Sequence, residues 1–133
     1  MGTALHKQFN HEPIAVFSKA NLLENSGVCA LINGVQVAVF YLPTETPPLY
    51  AIDNYDPIGG ANVLSRGIVG DINGELVVAS PLYKQHFSLH SGRCLEDDSV
   101  QVSVYQARLE GDAVIVMLQK AQSQKQNIVQ DIA

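Results

Sequence analysis

The sequence is poor in the residues that most often announce a chemistry. It has two cysteines, Cys29 and Cys94, far apart along 133 residues and in no Cys-x-x-Cys spacing. That excludes a small disulfide-stapled framework and a close thiolate metal pair; both thiols are read as reduced, buried small side chains. There is no tryptophan, and eight Lys plus Arg against thirteen Asp plus Glu leave a net charge of -5 with no basic cluster. The electrostatic footprint of a nucleic-acid or anionic-lipid binder is therefore missing, as is an aromatic stripe on which single strands would stack. No apolar run approaches the roughly 20 residues of a membrane-spanning helix. Residues Met1 to Lys7 hold no apolar core of the kind an export signal needs. The expected compartment is the cytoplasm.

What is present is the grammar of an antiparallel β protein, with length enough for one domain and 47% apolar residues to fill its core. Two β-rich runs, Val28–Ile32 and Val35–Tyr41, flank Asn33-Gly34; two more, Gly67–Ile72 and Glu75–Ala79, flank Asn73-Gly74. Asn-Gly between such runs predicts a two-residue hairpin turn, because both central positions need a positive φ. A third hairpin is expected from Tyr105–Leu109 and Ala113–Leu118 around Glu110-Gly111-Asp112, and Leu49–Ile52 reads as a further strand. Pro43–Pro48 cannot continue a central strand, since proline brings no donor, and is read as an exposed connection. Residues 1–13 read as a polar arm, Ser18 as the N-cap of a short helix over Lys19–Leu23, and residues 119–133 as a polar, Gln-rich tail. The domain itself is expected over residues 14–118.

Two loops stand out. Asp53-Asn54-Tyr55-Asp56-Pro57-Ile58 follows an apolar strand, and Ala79-Ser80-Pro81-Leu82-Tyr83 follows another, with Leu64-Ser65-Arg66-Gly67 between them and Phe87-Ser88-Leu89 and Gly92-Arg93-Cys94-Leu95 after them. In this order and spacing the chain, from about Ile14 to Leu118, resembles the Rieske domain family, in which Cys-x-His and Cys-Pro-x-His in these loops bind an iron–sulfur cluster. The resemblance implies an all-β, Rieske-like fold of antiparallel sheets and hairpins. Here the four ligand positions hold Asp56, Ile58, Ser80 and Tyr83. A Rieske centre takes two thiolates on one iron and two imidazoles on the other; isoleucine donates nothing, and the other three are hard or weak ligands. No cofactor, catalytic or metal residue is assigned on this basis.

Val28-Cys29-Ala30-Leu31, Val63–Gly67, Gly74-Glu75-Leu76, Ala79–Leu82 and Lys84-Gln85 carry a narrower likeness. They resemble the small subunit of assimilatory NAD(P)H-dependent nitrite reductase. That resemblance implies a large-subunit partner that binds FAD, NAD(P)H, sirohaem and its own iron–sulfur cluster and reduces nitrite to ammonium. It makes this chain a cluster-free supporting subunit. Two rival readings stay open. One is a [2Fe-2S] ferredoxin-like electron carrier with substitute ligands, which would be brown and iron-containing; the other is a degenerate Rieske adaptor for another oxidoreductase.

The remaining candidates weigh less. Asp56, Ser80 and Tyr83 offer one carboxylate, too few for a hard cation that wants several oxygens. The expectation is that Asp56 and Ser80 bond loop backbone while Ile58 and Tyr83 fill the space a cluster would take. His86 and His90 are four apart, but on an extended segment that places them about 13 Å from each other, too far to share an ion. Glu96-Asp97-Asp98 reads as a solvated turn. The loop tips make a candidate docking face for the partner, with Ile58, Tyr83 and Lys84 as its named residues.

Overall fold

The structure, a computed structural model, describes residues 11–119. Eleven strands follow one another: β1 (His11–Ser18), β2 (Ser26–Ile32), β3 (Val35–Tyr41), β4 (Leu49–Asp53), β5 (Tyr55–Asp56), β6 (Ala61–Asn62), β7 (Ile68–Ile72), β8 (Glu75–Ala79), β9 (His86–Ser88), β10 (Val104–Glu110) and β11 (Ala113–Gln119). Six of them form a sheet in the order β1-β11-β10-β4-β3-β2, three form a second in the order β7-β8-β9, and β5 with β6 makes a small ribbon. The three expected hairpins are present as β2–β3, β7–β8 and β10–β11, all antiparallel. Both Asn-Gly turns have positive φ at both residues, 50° and 84° at Asn33-Gly34 and 52° and 88° at Asn73-Gly74. These are the mirror-image turns whose twist matches that of the strands they join.

Strands β3 and β4 are buried on both faces, which is why they read as nearly unbroken apolar runs. Val37 and Val39 of β3, with Leu49 and Ala51 of β4, face a core completed by Val114 and Val116 of β11. Their neighbours Ala38, Phe40, Tyr50 and Ile52 face the other way, onto Leu64, Val78, Phe87 and Leu89 beneath the three-stranded sheet. Phe40 and Phe87 are fully buried there, each adding roughly 1.5–3 kcal/mol by leaving water. This second core is the floor on which the two loops stand.

Four expectations need correction at the edges. The polar arm is shorter than residues 1–13, since His11–Pro13 already pair with β11; β1 is an edge strand, where a proline such as Pro13 is tolerated. The tail begins later than residue 119, because Gln119 closes β11. The rest of arm and tail lies outside the described residues. The helix expected over Lys19–Leu23 is a single 3-10 turn, Lys19–Asn21, held by a reciprocal cap in which Ser18 Oγ accepts from Ala20 N–H and Asn21 Oδ1 from Ser18 N–H. Finally, Cys29 is exposed while Cys94 is buried. Along β2 the burial alternates: Ala30 and Ile32 face the core, while Cys29 and Leu31 lie on the opposite, more open face.

Candidate functional site

The two loops rise side by side. β4 ends at Asp53, and the chain is fixed at once by Asn54, a buried amide. Its N–H donates to Gln36 C=O at 2.9 Å, its Nδ2 donates to Gln36 Oε1 at 3.0 Å, and its Oδ1 accepts from Ser65 N–H at 2.6 Å. Asn54 thus ties the base of the first loop to β3 and to the turn that follows the loop. Its only signal in the sequence is a polar residue directly after an apolar strand, and its role was not foreseen.

Two residues later Asp56 turns inward and is fully buried. One carboxyl oxygen, Oδ1, accepts from Ile58 N–H at 2.8 Å and Gly59 N–H at 3.0 Å, while Oδ2 accepts from Ser80 Oγ of the second loop at 2.5 Å. The Asp56 carbonyl also accepts from Gly60 N–H at 2.7 Å. Ser80, equally buried, uses its Oγ a second time as acceptor for Leu82 N–H at 3.2 Å. Its backbone closes the second loop, with N–H donating to Gln85 C=O and C=O accepting from Lys84 N–H. The two buried polar groups therefore satisfy each other and the turns around them, as buried polar groups must. The contact is a clasp between the loops as well as the bond to loop backbone that was expected.

The other two positions part company. Ile58 is half-buried and packs on the core that holds Ile52 and Leu64. Tyr83 is 63% exposed, which corrects the expectation that it fills the space between the loops. The neighbour that covers the first loop is Leu82: a β-carbon added at Gly59 would lie 2.4 Å from Leu82 Cδ1 and 3.1 Å from Asp56 Oδ2. The loops touch closely enough that a side chain here would push the leucine aside. Lys84 is exposed and sits at φ 67°, the left-handed turn that brings the chain back toward β9. Tyr55, on the first loop, is 47% exposed.

A clamp holds the far end of the second loop. Both Glu96 oxygens engage His86, Oε1 accepting from its N–H at 2.8 Å and Oε2 lying 2.6 Å from its Nδ1. Partial burial works against ionisation of Glu96, but these bonds outweigh it and hold its carboxyl below the usual range. His90 lies in the next turn and meets the Tyr50 ring edge-on, centroids 5.3 Å apart. The acidic run divides its work: Asp97 Oδ1 bonds Ser99, and Asp98 faces Arg93 at 3.3 Å. Burial pushes the Cys94 thiol up, so it favours the neutral form of a core residue.

These donors do not fit a [2Fe-2S] centre. Ile58 has none to give, Asp56 and Ser80 are fully engaged with each other and with loop N–H groups, and Leu82 closes over the first loop. No thiolate or imidazole occupies any of the four positions.

Comparison with known proteins bears on this site. A family model described as a Rieske-like [2Fe-2S] domain matches residues 12–117. The nitrite reductase (NADH) small subunit of Salmonella typhimurium is 47% identical over 94 residues, which cover 71% of this chain and 86% of that protein. The nitrite reductase [NAD(P)H] large subunit of Klebsiella oxytoca is 38% identical over 93 residues, 70% of this chain but 9% of that much longer one. Among solved structures, the NMR structure of the E. coli protein NirD superposes with a TM-score of 0.73 at 38% identity, over 80% of this chain and 96% of that one.

Proposed function

The chain belongs to the Rieske-like [2Fe-2S] domain family and to its nitrite reductase small-subunit branch, and from that premise we propose that it is a cluster-free, non-catalytic subunit of an NAD(P)H-dependent nitrite reductase. The observation that carries this reading is the Asp56–Ser80 clasp: the two loops that resemble the family's cluster-binding loops are bonded directly to each other. An electron carrier needs a redox group within reach of its partner; a binding subunit needs only a rigid surface. The flavin, nicotinamide, sirohaem and iron–sulfur chemistry of nitrite reduction to ammonium then resides in a large subunit. This chain binds and stabilises that partner in the cytoplasm, in the service of nitrate assimilation.

The Klebsiella oxytoca relative supports the partnership. There a segment homologous to this chain is part of the large subunit's own polypeptide. Joining two modules in one chain replaces a bimolecular encounter with an effective concentration on the order of millimolar, an arrangement that favours contact between them. The test is to mix the purified chain with the large subunit from the same organism, then follow co-elution and NAD(P)H-dependent nitrite turnover. Co-elution with raised turnover or raised thermal stability of the large subunit is expected. Separate elution, with turnover and stability unchanged, contradicts the proposal.

A further inference from the structure

At the loop end Tyr55, Leu82 and Tyr83 are 47%, 43% and 63% exposed; Leu82 lies on Gly59 of the first loop, and the Tyr55 hydroxyl lies 3.9 Å from where a β-carbon on the next residue, Gly60, would be. The chain as a whole is acidic, yet within residues 54–60 and 80–85 the sole carboxyl is that of Asp56, which is buried and fully bonded. The exposed charge of these segments is Lys84. Arg66 lies close by, one residue before Gly67, which packs against the Ala79 carbonyl at the mouth of the second loop. Arg93 and Arg108 pair with Asp98 and Glu110, whereas among the described residues neither Lys84 nor Arg66 has a carboxylate within ion-pairing distance.

We propose that this loop end is the docking face for the large subunit, with Tyr55, Leu82 and Tyr83 entering an apolar depression whose rim carries carboxylates that meet Lys84 and Arg66. The inference rests on the subunit reading above. Large amphipathic rings held on a stiff base are what interface centres favour, because little conformational freedom is left to lose on binding. The base is stiff because Asp56, Ser80 and Gly59 lock the loops together beneath the rings. Unpaired cations at the edge of such a patch steer an acidic partner and set the salt dependence of association. The occupant is the large subunit because the homologous segment is fused into that subunit in a relative, so a complementary surface belongs there.

The experiment measures binding of the full chain to the intact large subunit at low and at near-physiological salt. The double variant Leu82→Ser/Tyr83→Ser is expected to raise Kd about tenfold or more. Lys84→Glu is expected to weaken binding several-fold, mainly through the association rate, and to flatten its salt dependence. Two matched controls lie elsewhere: Leu23→Ser removes an exposed leucine before β2, and Arg108→Glu makes the same charge change on β10. Both are expected to bind within about twofold of the parent. Since Leu82 touches Gly59, Tyr83→Ser alone is the variant that keeps the fold beyond question, and it should still weaken binding measurably. Loop variants that melt like the parent and bind like it, or controls that weaken binding as much, overturn this face and leave the subunit reading standing. A parent chain that does not bind at all overturns both.

Discussion

The four loop positions whose spacing resembles that of the family's ligands divide into an inner pair and an outer pair. Asp56 and Ser80 are buried and bonded to each other across the loops. Ile58 and Tyr83 make no side-chain hydrogen bond across the loops; one packs on the core and the other stands in solvent. The difference teaches which part of a cluster site is structural. A cluster joins two loops and also presents an edge to a partner. Here a carboxyl–hydroxyl contact joins the loops, and their outer face carries apolar and aromatic side chains.

That division predicts graded costs. Asp56→Ala strands Ile58 N–H, Gly59 N–H and the Ser80 hydroxyl together, each a buried or partly buried group, and should lower unfolding free energy by about 3 kcal/mol. Asp56→Asn, which keeps an acceptor for the two N–H groups, should lose about 1 kcal/mol. Urea unfolding measures both, and an Asp56→Ala protein as stable as the parent would break the comparison at its inner half. Ser80→Ala should cost about 1–2 kcal/mol, and because the two residues share one bond, the double variant should fall short of the sum of the singles by about 1 kcal/mol. Strict additivity would mean that the clasp contributes nothing.

Ile58→Ala removes a half-buried side chain and should cost about 1 kcal/mol, read as a lower melting temperature. The Glu96 clamp gives a smaller, pH-dependent effect. Its folded carboxyl titrates below the usual range, so the stability it adds is present above the unfolded value near pH 4.3 and is lost as pH falls through the folded value. The gap in stability between parent and Glu96→Gln should therefore close on acidification, and a gap that widens contradicts the clamp. Tyr83→Ser should change stability by less than about 0.5 kcal/mol. A large loss there would place Tyr83 with the inner pair.

Much of this was legible in the sequence. The Asn-Gly turns specify their own backbone, and β3 and β4 show two-sided burial as continuous apolar runs. The loop spacing located Asp56 and Ser80, and their polarity pointed inward to backbone partners. Three features were not legible, each for a physical reason. Whether Leu82 or Tyr83 covers the neighbouring loop depends on the turn that begins with Leu82 N–H bonding Ser80 Oγ, and both are large enough to fill a space. The exposure of Cys29 depends on which face of β2 the rest of the molecule covers, which is a property of tertiary packing. The work of Asn54 depends on Gln36 and Ser65, partners set by tertiary contact.

The central claim is that the clasp has replaced the cluster, and iron with acid-labile sulfide, measured per chain on protein purified from iron-replete cells, tests it most directly. The structure predicts a colourless protein with neither element in stoichiometric amount. A brown protein carrying iron and sulfide in equal, near-stoichiometric amounts would contradict it.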